Sequence, residues 1–147
     1  HSSPTRRTPD LEIAPGRLLL SIRDNRGTGR AMYETRDMGR TWTPHVADGH
    51  LPDPVCMASL LHVPASENSL GRDILLFANP ADQKDRCNMT LRISYDGGVT
   101  WPGSVLLDEG ESWGYSCLTM IAPATVGILY ESSQAHITFQ AIPLANF

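Results

Sequence analysis

The chain has 147 residues, 41% of them apolar and 19% charged, with a formal charge of −4. That balance fits one folded domain rather than a disordered segment, and it argues against a general nucleic-acid binder, which needs a clustered basic surface to displace counterions. No run of about 18 apolar residues is present, so no transmembrane segment is expected, and the opening HSSPTRRTPD lacks the apolar core of a signal peptide.

In chain order, nine short apolar runs read as strands: RLLLSIR at 17–23, RAMYET at 30–35, ASLLHV at 58–63, DILLFAN at 73–79, MTLRISY at 89–95, SVLLD at 104–108, CLTMIA at 117–122, VGILYES at 126–132 and HITFQAI at 136–142. Turn clusters such as PG, RGTG, DMG, NPAD and DGG separate them. No stretch keeps helical periodicity for three turns, so the chain reads as all-β.

Two octets punctuate this pattern. TRDMGRTW at 35–42 and SYDGGVTW at 94–101 begin 59 residues apart, each at the end of a predicted strand. In each, an aspartate (Asp37 or Asp96) can accept bonds from backbone amides a few residues on. A glycine (Gly39 or Gly98) supplies the left-handed backbone of a tight turn, and a tryptophan (Trp42 or Trp101) packs back over it. Several short strands per repeat at this spacing suggest propeller blades. Two units and a remainder fit in the chain, fewer than the roughly four to eight blades that close such a ring.

Other chemistry is poorly supported. Cys56, Cys87 and Cys117 form an odd set without a CxxC pair, and the five histidines show no compact ligand pattern, so neither a metal nor a cofactor is expected. RGTGR lacks the Lys-Ser/Thr of a phosphate loop. Most of the twelve Lys and Arg residues are Arg, which favours recognition of planar anions.

The octets resemble the Asp box of the exo-α-sialidases (neuraminidases), and other segments follow in the same order. GRLLLSIRDN resembles the stretch carrying the second arginine of the carboxylate-binding triad, and LPDPVCMASLL the stretch that shapes the sugar pocket. LLFANPADQKDRCNMTLRISYDGGVTW is similar to the stretch with the third arginine. GYSCLTM and VGILYES resemble those with the nucleophilic tyrosine and a later glutamate. The resemblance implies that residues 1–147 form the C-terminal portion of a six-bladed β-propeller. The N-terminal blades, in cis or as a second chain, would supply the first arginine and the aspartate acid/base.

By position, the resemblance makes Arg23 and Arg86 the carboxylate-binding arginines, Tyr115 the nucleophile and Glu131 the residue that orients a triad arginine. Paired guanidinium forks suit a carboxylate, and a neutral phenol avoids repulsion by the substrate's own charge. Strand-end charges and a core tyrosine are the plainer readings of the same residues. Arg26, Arg30, Arg36, Arg40, Arg72 and Arg92 are expected at the surface. The Asp-box residues are expected to be structural.

One position departs from the pattern. Where the family carries the glutamate that takes the tyrosine proton, this chain has Arg7, and an arginine cannot act as a base. Glu12, and after it Asp10, could substitute through a shift in register; otherwise the base comes from outside the chain. The implied activity is retaining hydrolysis of terminal sialic acid from sialylated glycans. The alternative is a non-catalytic, lectin-like propeller. The substrate class favours a secreted or periplasmic setting, and the compartment stays open.

Overall fold

The computed structural model describes residues 10–26, 29–45, 51–134 and 136–147. Among these residues, eleven strands form three antiparallel sheets, and within each sheet every strand pairs with its neighbour in sequence. The first sheet contains β1 (Asp10–Ala14), β2 (Arg17–Ile22), β3 (Ala31–Thr35) and β4 (Thr43–Pro44). The second contains β5 (Ser59–Val63), β6 (Ile74–Pro80), β7 (Met89–Ser94) and β8 (Gly103–Asp108). β9 (Ser116–Ala122), β10 (Thr125–Tyr130) and β11 (Thr138–Pro143) make the third. All nine expected strands are present. β1 and β4 were not anticipated: β1 is a short alternation of polar and apolar residues, and β4 is two residues long and ends in proline, which suits its place at the sheet edge.

The sheets stack through β6, every residue of which is buried. Because side chains alternate across a strand, β6 feeds two cores. Ile74, Leu76 and Ala78 join Leu91, Ile93, Leu118, Val126 and Ile128 between the second and third sheets. Leu75 and Phe77 point the other way and pack with Ile13, Leu19 and Met32 of the first sheet. Each fully buried side chain of this size contributes roughly 1.5–3 kcal/mol. This is the face-to-face stacking of propeller blades.

Both octets close their sheets with the same hydrogen-bond pattern. Asp37 accepts bonds from the Thr35 hydroxyl (2.7 Å), the Arg40 and Thr41 amides (3.0 and 2.9 Å) and the Thr41 hydroxyl (2.7 Å). Asp96 accepts from the Ser94 hydroxyl (2.8 Å) and from the amide and hydroxyl of Thr100 (2.9 and 2.5 Å). The Gly39 and Gly98 amides each donate to the hydroxyl that opens their octet, at 2.9 Å. Both glycines have φ near +90°, at 89° and 88°. Donation from Thr41 holds the Asp37 carboxyl down to about 2. Trp101 packs on Phe77, with ring centroids 5.6 Å apart, while Trp42 lies half-exposed against Gly39. The octets are fold staples.

Two of the arginines expected at the surface are not there. The Arg30 side chain is 1% exposed and pairs with Asp53. It precedes β3, where alternation carries Met32 and Glu34 inward as well. Arg92 on β7 is half-buried and donates to Asn79 Oδ1 at 3.3 Å, and burial lowers its pKa below the ordinary arginine value. Arg36 and Arg26 are exposed partners of Glu34 and Asp24.

Candidate functional site

The candidate residues meet at one end of the sheets, and pairing explains why. Tyr115 directly precedes β9 and Glu131 directly follows β10; these strands run antiparallel, with Ser116 opposite Tyr130. The ladder therefore continues one residue further. The Glu131 amide donates to the Tyr115 carbonyl at 2.9 Å, and the Tyr115 amide returns a bond to Glu131 Oε2 at 2.9 Å. This reciprocal pair fixes the backbone of Tyr115 while its side chain stays 41% exposed.

Arg86 reaches the same segment from the loop between β6 and β7. Its Nη1 donates to the Trp113 carbonyl at 2.9 Å, its own carbonyl accepts from the Ser112 amide at 2.8 Å, and its guanidinium carbon lies 5.9 Å from the centre of the Tyr115 ring. Nε and Nη2 of Arg86 make no hydrogen bond among the described residues. Arg23 follows β2 at this end and forms no hydrogen bond or ion pair among the described residues. Two guanidinium edges thus remain available to an anion.

Between them lies Cys56, buried just ahead of β5. Its thiol donates to the carbonyls of Gly114 (3.5 Å) and Trp113 (3.6 Å). Burial raises the thiol pKa, against the pull of the Arg86 and Arg23 cations, which places Cys56 in the field of both. Cys87 and Cys117 are also free thiols. Gly114 has φ +85°, and a Cβ on it would stand 2.6 Å from Pro80 Cγ and 2.8 Å from Cys56 Sγ. Only glycine fits there, so the approach to Tyr115 is tightly set.

Glu12 is not brought to this site. The hairpin turn lies at residues 15–16, and Glu12 pairs with Leu18 beside it, at the end of β2 opposite Arg23. Strand rise makes that separation about 16 Å along β2. Glu12 Oε1 instead accepts the Gly16 amide at 2.9 Å, and Glu12 lines a shallow surface depression with Ala14, Pro15 and His62. Glu12 was expected to serve as a base only through a shift in register, and in the register present it lies away from Arg23. Asp10 lies opposite Leu20, in mid-strand. Arg7 lies outside the described residues. Glu131 was expected to orient an arginine; the bond it makes among the described residues is to the Tyr115 backbone, and its Oε1 makes none there.

Sequence reasoning passed over Arg30, Asp53 and Cys56, which underlie the site. For Arg30 a signal existed in the alternation of Arg30, Met32 and Glu34. For Asp53 and Cys56, which lie on a loop, no periodicity was available, and the signal was their place in LPDPVCMASLL, the stretch that resembles the family's pocket-shaping segment.

Three blade-like sheets, two of them closed by Asp-box turns, define part of a repeat propeller, with Arg86, an exposed Tyr115 and Glu131 together at one end of its strands. Residues 9–128 match the BNR repeat-like domain family. The chain is 57% identical over 138 residues to a sialidase of Bacteroides fragilis, covering 92% of this chain and 25% of that protein. It is 39% identical over 124 residues to a sialidase of Micromonospora viridifaciens, covering 82% and 19%. The solved structure of Hadza microbial sialidase Hz136 superposes with a TM-score of 0.90 at 61% identity, over 94% of this chain and 27% of that one. The chain belongs to the sialidase family, and its three sheets are part of a six-bladed sialidase-like propeller. It spans 19% to 27% of the length of these relatives.

Proposed function

We propose that this chain is the C-terminal portion of an exo-α-sialidase that removes terminal sialic acid from glycoconjugates with retention, through a glycosyl bond to Tyr115. The observation that carries the reading is the assembly of Arg86, Tyr115 and Glu131 by short hydrogen bonds at one end of the sheets. In it, Arg23 and the unused edge of Arg86 hold the substrate carboxylate as planar forks. The Tyr115 oxygen attacks the anomeric carbon, the glycosidic bond breaks, and the leaving oxygen receives a proton from an acid on a blade beyond this chain. Water then hydrolyses the tyrosyl-glycoside and regenerates the phenol.

The phenol must lose its proton as it attacks, so the mechanism needs a group to take it. Glu131 engages the backbone of Tyr115 rather than its hydroxyl, and Glu12 lies at the wrong end of its hairpin. The base is therefore assigned to a carboxylate outside the described residues, and the open Oε1 of Glu131 is assigned to the first arginine of the triad. Blades beyond this chain, in cis or as a second chain, complete the ring.

Tyr115→Phe tests the assignment in the complete propeller. Turnover of a fluorogenic sialoside should collapse while binding of sialic acid persists, since both arginines remain. A protein that binds sialic acid but turns over none, with or without the substitution, would instead be a lectin.

A further inference from the structure

We propose that Arg30 and Asp53 are positioning residues for this sugar site, holding a strained turn at 54–56 on which the Tyr115 segment rests. The inference deepens the functional reading above and depends on it. Val55, at the centre of the turn, has φ +57°. A β-branched residue is a true outlier there, and such strain persists only where the surroundings over-determine it.

Two side chains supply that constraint by gripping the residue after Val55 from both sides. The Cys56 amide donates to Asp53 Oδ1 at 3.4 Å, and the Cys56 carbonyl accepts Arg30 Nη1 at 2.6 Å. Arg30 and Asp53 pair with each other at 3.3 Å, with side chains 1% and 0% exposed. Arg30 also donates through Nε to Ser21 Oγ at 2.9 Å and through Nη2 to the Ser21 carbonyl at 3.4 Å, two residues before Arg23. From the other side of the turn, the Cys56 thiol bonds the carbonyls of Trp113 and Gly114, and the Trp113 carbonyl also takes Arg86. One guanidinium thus connects the strand that leads into Arg23 to the turn whose Cys56 bonds the segment ahead of Tyr115.

The chemistry favours geometry over stability as the function of this pair. A buried ion pair is often no more stabilising than apolar residues of the same volume. Here Asp53 Oδ2 is buried without a hydrogen-bond partner among the described residues, a cost that a pair serving stability alone would not carry. A planar fork can bond Ser21 and Cys56 at once, which a single ammonium cannot match.

The test uses Arg30→Lys, Asp53→Asn and the double variant Arg30→Lys/Val55→Gly in the complete propeller, with kcat and KM for a fluorogenic sialoside and thermal unfolding as readouts. Arg30→Lys should raise KM about tenfold, the loss expected when a bidentate arginine becomes a lysine. Adding Val55→Gly should recover most of that affinity, because glycine holds a positive φ without restraint. Asp53→Asn keeps an oxygen for the Cys56 amide and should raise KM as well. A purely structural pair would lower the melting temperature and the active fraction but leave KM unchanged. That result, absence of rescue by Val55→Gly, or failure of both single variants to fold would overturn the proposal. Arg86→Lys serves as control. If it leaves KM unchanged the functional reading itself fails; if it raises KM while Arg30→Lys does not, only the positioning role fails.

Discussion

Replacing Gly114 with alanine asks how closely the approach to Tyr115 is set, and a second glycine separates the two contributions. At φ +85° an L-residue costs about 1–2 kcal/mol of backbone strain. The new methyl would also stand 2.6 Å from Pro80 Cγ and 2.8 Å from Cys56 Sγ, and overpacking of that kind costs roughly 1–3 kcal/mol. Together the two amount to about 2–5 kcal/mol, a large share of a typical domain stability of about 5–15 kcal/mol. Gly97 has φ +74° with nothing within 4 Å of an added Cβ, so Gly97→Ala carries the backbone term alone. Denaturant unfolding of both variants in the complete propeller should therefore differ by about 1–3 kcal/mol, with unchanged slope. Sialoside turnover supplies the second readout. Gly114→Ala pushes the segment ahead of Tyr115 and should lower kcat by about tenfold or more, since a displacement of about 1 Å can cost about a hundredfold. Gly97→Ala should leave kcat near that of the unsubstituted protein. Equal destabilisation of the two variants, with turnover intact in both, would refute the reasoning.

Arg86→Lys should weaken sialic-acid binding by about 1.5–3 kcal/mol, the scale of a charge-assisted hydrogen bond, whereas Arg40→Lys should do little; calorimetric titration showing small, equal effects would reduce Arg86 to a surface charge. Glu34 is held at about 2, against an ordinary value of 4.5, chiefly by its bond from Arg17 at 2.6 Å. A depressed carboxylate stabilises the fold above its unfolded value and loses that contribution as pH falls from about 4.5 towards 2. Glu34→Gln should therefore flatten acid unfolding across that window, and superimposable curves would remove Glu34 from it. The isolated 147-residue chain should not be a stable monomer, because the β9–β11 sheet exposes Ile121, Leu129 and Phe139 on the face turned away from the core. Sizing and circular dichroism that reveal a compact, cooperatively melting monomer would contradict this.

The fold was legible where local pattern and turn chemistry agreed. Alternation and glycine-rich turns locate nine strands, and each octet holds enough of its own partners to be read as a closed turn. For the candidate site, motif order singles out Arg23, Arg86, Tyr115 and Glu131, and the structure places the last three side by side. Arg30 was misread because an arginine at a strand start is usually solvated. Its burial depends on Asp53, 23 residues away across a connection with no periodicity. The partner, not the residue type, decides where that charge resides.

For Glu12, the shift in register that a role as base requires can be weighed by counting. A Pro-Gly turn at 15–16 places residues just before it beside those just after it, so Glu12 must lie near Leu18 and cannot accompany Arg23. Moving it to the other end of the sheet would require more than a shift of register. A slip of one residue would turn Leu11 and Ile13 to the opposite face and remove Ile13 from the core it shares with Leu19 and Phe77. It would also break the Glu12 bond to Gly16. Even then, Glu12 would advance along β1 by only about 3.3 Å. Hydrophobic register thus opposes the shift at every step, and on the proposed mechanism the proton acceptor for Tyr115 comes from elsewhere in the completed ring.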